Sequence, residues 1–162
     1  MTDITEAQLR QACEQGDVGR LLALIPYAQL IGVECTRQGD EWLFCLPANK
    51  DNIGNPLLPA IHGGVIAGFM ELSAAVHLLI ATHAAGVPKI IDFSLDYLRA
   101  GQFRDTYARC QVWRQGRRVA NVAITAWQEA EAEPIATARA HFKIPGALQA
   151  GRLLKSPELP PP

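Results

Sequence analysis

HGGVIAGFMELSAAVHLLIATHAAG, residues 62–86, decides the fold. From Gly63 to about Ala85 no proline interrupts it, apolar residues run almost all the way round the helical wheel, and Gly86 with Pro88 forms a stop signal. A helix that is apolar on nearly every side is buried. The rest of the chain must therefore wrap it. Its polar residues are few: His62 at the head, Thr82 and His83 near the end, and between them Glu71, Ser73 and His77, which break the apolar run that a membrane span would need.

On either side of this helix the periodicity changes. Residues 4–25 carry apolar residues at near-helical spacing, and Pro26 is expected to end them. Ile31, Val33 and Cys35 alternate with smaller or charged residues, a turn follows at Gln38–Gly39–Asp40, and Trp42, Phe44 and Leu46 complete a β-hairpin. Residues 47–61 hold three prolines and read as a loop feeding the helix. Beyond it, 89–98, 105–114, 118–128 and 134–144 alternate with period two, so a four-strand meander is expected. The fold class is α+β, an antiparallel sheet wrapped around a long central helix, with an N-terminal helical extension. The expected segments are 1–28 for the extension, 29–146 for the domain, and 147–162 for a tail disordered from about Ser156. Gly32, Gly39, Gly54, Gly101 and Gly116 fall where turns or strand ends are expected and receive no functional weight.

A chain of 162 residues with 49% hydrophobic and 19% charged residues is that of one ordinary globular domain. Its formal net charge of −1 supplies no overall field toward nucleic acid or a membrane surface. One segment departs from this balance: between Arg99 and Arg118 there are six arginines and one acid, Asp105. The N-terminus resembles no signal peptide, so a cytoplasmic location is expected. Cys13, Cys35, Cys45 and Cys110 have no paired spacing, which points to buried free thiols. His77, His83 and His141 stand at no metal-ligand spacing with a carboxylate or cysteine.

The chemistry concentrates at the helix. Gly63 and Gly64 have no side chains to shield the first turn, so a carbonyl oxygen can approach its unpaired N–H groups. The alternative is that the glycines serve close packing. Glu71, walled in by Phe69, Met70 and Leu72, must find partners or take up a proton. An electrophile activator and a base or nucleophile are the minimum parts of an acyl-transfer site. Eight residues separate Gly63 from Glu71, about 12 Å along a helix and roughly 80° around it. One carbonyl cannot touch both, so if the two cooperate they come from different subunits, with two helices antiparallel across a dimer axis. His62 is a candidate base, or a brace for the preceding loop. Ser73 belongs to no nucleophile motif. Trp42, Phe69, Phe93 and Tyr97 are core or pocket wall.

Three features together, Asn55, HGGVIAGFMELSAA (62–75) with Glu71 nine residues after His62, and IDFSLDYLRAG (91–101), resemble the hotdog-fold acyl-CoA thioesterases of the PaaI type. The likeness runs from about Ile31 to Ile144. It implies a hotdog fold, a homodimer formed edge to edge, often two dimers in a tetramer, and metal-free hydrolysis of acyl-CoA. Coenzyme A would then be part of the substrate and no separate cofactor is needed. Carried over by position, Gly63 supplies the oxyanion N–H, Gly64 borders the substrate, Glu71 of the other subunit activates water or attacks the carbonyl, and Asn55 and His62 orient substrate or water. Asn55 stands seven residues before His62 where many relatives have six. Ile90 and Ala75 occupy positions where some members carry a hydroxyl.

With CoA as a candidate ligand, the arginines acquire a partner, since guanidinium groups bind phosphates in bidentate fashion. Arg99, Arg117 and Arg118 are the first candidates, against a solvated strand rim. Two other readings stand beside hydrolysis: a hotdog hydratase or dehydratase acting on enoyl thioesters, and a non-catalytic acyl-CoA binding dimer.

Overall fold

The computed structural model describes residues 6–82 and 86–145. Three short helices come first: α1 (Glu6–Gln15), α2 (Val18–Leu24) and α3 (Pro26–Ile31). Asp17 caps α2 by accepting the Arg20 N–H at 2.9 Å. Pro26 does not end the helical extension. It opens α3 in the first turn, where its missing N–H is harmless, and Gly32 closes α3 in the left-handed conformation, φ 80°. Ile31 is therefore the last residue of a helix rather than the first of a strand, and the extension runs past residue 28.

The hairpin follows as β1 (Glu34–Gln38) and β2 (Glu41–Leu46), turning at Gly39 with φ 61°. The expected loop contains more structure than its prolines suggest: a 3-10 turn (Lys50–Asn52), then β3 (Ile53–Asn55) paired antiparallel with β4 (Ala60–Ile61). Buried Asn52 explains the order there. Its side-chain amide donates to the Ile31 carbonyl at 2.9 Å, while its own carbonyl accepts the His62 N–H at 2.8 Å.

Next comes α4 (Gly63–Thr82), then β5 (Lys89–Tyr97), β6 (Thr106–Gln115), β7 (Val119–Trp127) and β8 (Ala136–Lys143). All four strands fall close to their expected positions, but they do not form one meander. The sheet order is β1-β2-β6-β7-β8-β5. Residues 98–105 are too long for a tight hairpin and are pinned elsewhere: Leu98 and Arg99 N–H both reach the Ile135 carbonyl, and the Ile61 N–H reaches Gly101. This connection carries the chain across, leaving β5 at the far edge beside β8.

The sheet wraps α4 as the hotdog resemblance implies. Phe69, Met70, Ala74, Val76, Leu78 and Leu79 are buried. Opposite them, the inward positions of β7 and β8 are mainly small: Ala120, Ala126, Ala136, Ala138 and Ala140. These alanines share the inner positions of the two strands with buried Val122, Ile124 and Phe142, so small and large side chains together fill the space beneath the helix. By length and apolarity α4 could cross a membrane, yet half of it is buried inside this domain as its core helix. Along its open side runs a half-exposed stripe that includes Ala67, Gly68, Glu71 and Ala75.

Candidate active site at the head of the central helix

The β3–β4 pair delivers His62 to the start of α4. Gly54 makes this possible, because a Cβ there would lie 2.7 Å from the His62 Cα. His62 then caps the helix: its Nδ1 accepts the Gly64 N–H at 2.9 Å, and its carbonyl accepts the N–H groups of Val65 at 2.9 Å and Ile66 at 3.2 Å. Of the first-turn donors, Gly63 N–H alone has no acceptor among the described residues. The expected pair of bare N–H groups is thus one. An Nδ1 that accepts carries no proton, so neutral His62 holds its proton on Nε2. That tautomer suits bracing and donation, and leaves no ring nitrogen free as a base.

Tyr97 fixes the same turn from the sheet side. Its hydroxyl donates to the Gly63 carbonyl at 2.6 Å, and a Cβ on Gly63 would lie 3.1 Å from that oxygen. The glycine therefore admits both the tyrosine and any oxygen approaching the N–H. An open groove of about 420 Å³ lies alongside, lined by Ala60, Gly63, Ile66, Tyr97 and Arg99 among others. It shares Ala60 and Ala100 with an apolar cleft of about 500 Å³ bounded by Leu58, Pro59 and Phe103. A polar groove with Arg99, Arg104, Gln128 and Glu129 continues from there.

Glu71 is half-buried on the open stripe of α4 and makes no hydrogen bond or ion pair among the described residues. Within one chain it stands away from the Gly63 turn, as helix geometry requires. Asn55 is exposed at the end of β3, opposite Ala60, and its Oδ1 accepts the Leu57 N–H at 3.0 Å. Its carbonyl oxygen is committed to its own turn, and the amide nitrogen is left for other partners.

The arginine-rich segment is more neutral than its sequence suggests. Arg104 pairs with Glu129; Arg109 pairs with Glu41 at 3.2 Å and Glu131 at 2.5 Å and stacks over Trp127. Arg99 borders the groove and donates to the Pro134 carbonyl at 2.8 Å. Arg117 and Arg118 lie at the opposite end of the sheet, where Val119 pairs with Lys143. The length of β7 puts them roughly 26 Å from the Tyr97 end. One chain brings Arg99 to Gly63, and not Arg117 or Arg118.

Other candidates fall into structural roles. Ser73 is buried and bonds the Phe69 carbonyl at 2.7 Å. All four cysteines are free, and burial pushes Cys35 up to about 12 and Cys45 to about 11, so they remain thiols at neutral pH. His141 faces Asp92 at 3.5 Å and Asn121 at 3.1 Å on the outer sheet surface. His77 is held below its ordinary value by burial, and its Nδ1 has no partner among the described residues. His83 and the tail beyond residue 145 lie outside the described residues. Among the described residues no three potential metal ligands cluster.

Residues 58–135, from the apolar cleft through α4 to the end of the β7–β8 connection, match the family model of the thioesterase superfamily. The chain belongs to the thioesterase superfamily. It is similar to a protein of Chromobacterium violaceum at 37% identity, over 85% of this chain and 96% of that one, with a TM-score of 0.71. More distant members of the superfamily's fold include a phenylacetic acid degradation-related protein of Ralstonia eutropha, 20% identical over 78% of this chain and 98% of that one, TM-score 0.66. A protein of Streptococcus mutans, solved bound to acetyl-CoA, is 14% identical over 71% and 90%, TM-score 0.61. The chain matches no curated protein at a significant level.

Three residues at the site escaped the sequence. Gly54 reads as a turn residue, Arg104 as one basic residue among six, and Tyr97 as core or wall. Only for Tyr97 was a signal present: it ends the strand whose alternation points Phe93 and Leu95 toward the core.

Proposed function

We propose that the protein hydrolyses acyl-CoA thioesters to free CoA and a carboxylic acid, in the cytoplasm, as a homodimer with two sites. The observation that carries this reading is the single open N–H of Gly63, bordered by a groove and held in place by His62 and Tyr97. The thioester carbonyl oxygen sits on that N–H at the positive end of α4, where one matched donor stabilises a developing oxyanion by about 2.7 to 4 kcal/mol. Glu71 of the partner subunit takes the proton of the attacking water, or attacks the carbonyl itself. The tetrahedral intermediate collapses with loss of the CoA thiolate, a leaving group that needs no dedicated acid. Asn55 and the Nε2–H of His62 orient substrate or water, Gly64 borders it, and Arg99 meets the CoA phosphates; Arg117 and Arg118 reach them only from another subunit.

Two features support the dimer. Among the described residues the outer edge of β5 pairs with no strand, although it spans nine residues and exposes Ile90 and Ile91. A long edge left bare is a template for a second strand. Continuing the sheet there through a two-fold axis also sets two α4 helices side by side and antiparallel, with the small residue Ala67 midway between Gly63 and Glu71. Two such dimers can pair into a tetramer.

Thiol release over a panel of aliphatic, aromatic and hydroxylated acyl-CoAs tests the reading. Hydrolysis by the native protein, with strong loss in Glu71→Ala and an unchanged fold, is the expected result. Conversion of an enoyl thioester without thiol release would mean a hydratase, and tight binding without turnover a binding protein.

A further inference from the structure

We propose that Tyr27, supplied by the N-terminal helices, is a positioning residue for Glu71, its hydroxyl donating a hydrogen bond to the Glu71 carboxylate. This deepens the thioesterase reading above and rests on it. The starting observation is Gly68, a glycine in the interior of α4, where it is less favourable than alanine. Its reason is steric. A Cβ on Gly68 would lie 2.2 Å from the Tyr27 hydroxyl oxygen and 2.8 Å from its ring carbons. Tyr27 therefore packs its hydroxyl end against the bare backbone of α4 at residue 68.

Gly68 and Glu71 are three apart, neighbours on one face with Cβ positions about 5–6 Å apart. A helical side chain also leans toward the N-terminus and covers the turn before its own Cα. For Glu71 that turn is the one holding Gly68, so its carboxylate sweeps the space the Tyr27 hydroxyl borders. Neither group has a hydrogen-bond partner among the described residues. One can only accept when ionised, and the other is a donor. A rotation of the glutamate joins them, and a charge-assisted bond of this kind holds the carboxylate in one orientation.

The anchor for this contact lies outside the part of the chain that matches the superfamily model, which starts at residue 58. Yet α3 is tied to the site. Ile31, at its end, accepts from buried Asn52, and Asn52 in turn accepts the His62 N–H. The segment that carries Tyr27 is thus bonded to the loop that presents His62 and Gly63.

Tyr27→Phe tests the proposal, because it keeps the ring against Gly68 and removes only the hydroxyl. With an acyl-CoA that the native enzyme hydrolyses, kcat should fall about tenfold with KM within about twofold, a loss the size of one charge-assisted hydrogen bond. The melting temperature should not move. Gly68→Ala, which displaces the tyrosine, should lose kcat to a similar extent. In a Glu71→Gln background Tyr27→Phe should have little further effect, since the two act as a unit. Native kcat in Tyr27→Phe, or a full additional tenfold loss in the Glu71→Gln background, would overturn the role of Tyr27 and leave the Glu71 reading intact. Native activity in Glu71→Gln alone would overturn both.

Discussion

The two halves of the candidate site are built in opposite ways. At the Gly63 end every first-turn polar group but one is engaged: Gly64 by His62, Val65 and Ile66 by the His62 carbonyl, and the Gly63 carbonyl by Tyr97. At the Glu71 end no polar partner is engaged among the described residues. The difference separates a preorganised donor, complete within one chain, from a carboxylate placed on an open helix face and awaiting its counterpart. Electrostatic stabilisation of an oxyanion depends on donors fixed before the reaction. A base must come within hydrogen-bond reach of the water whose proton it takes.

That contrast can be broken from either side. The largest effect is expected from Glu71→Gln, which keeps the shape and removes the base: kcat should drop about 10²- to 10⁴-fold with an unchanged circular dichroism spectrum. Next is Gly63→Pro. Proline is accepted in the first helical turn and deletes the N–H, while its ring also crowds the Tyr97 hydroxyl, 3.1 Å from a Cβ at this position, so a loss of at least about 10²- to 10³-fold is expected with helix content retained. Tyr97→Phe releases the Gly63 carbonyl without touching the N–H and should lower kcat about fivefold to tenfold, on the scale of one lost hydrogen bond. If it did nothing, the preorganisation of the Gly63 half would not depend on the sheet.

The smallest effect concerns stability rather than turnover. His77 is held by burial below its ordinary value of 6.5. The unfolded chain therefore binds a proton that the native state refuses, so stability is full above about pH 6.5 and declines as pH falls below it. The melting temperature should drop between pH 7 and 5, and His77→Leu should flatten that slope. An identical slope in the variant would assign the acid sensitivity to other groups.

How much of this was legible in the sequence depends on whether the relevant force is local. The extent of α4 and the four later strands follow from periodicity, because burial against one core imposes it. A proline both ends and begins helices, and only Gly32 downstream shows that Pro26 begins one. The place of β5 at the far edge depends on how residues 98–105 are pinned to Ile61 and Ile135, contacts distant in sequence. The same holds at the site. Glycine at 63 and the acid at 71 are visible as types, whereas the removal of Gly64 by His62 and the hold of Tyr97 on Gly63 are meetings of residues that no spacing announces.

The central claim is that a working site takes Gly63 from one subunit and Glu71 from the other. Mixing Glu71→Gln with Gly63→Pro, under conditions that let subunits exchange, tests it most directly. A mixed dimer has one site with both groups intact, so an equal mixture should recover about a quarter of native thiol release by the statistics of two-fold pairing. Each variant alone should stay near background. If exchange is complete and the mixture is no more active than its parents, both groups must act within one chain, and the two-half-site reading is wrong.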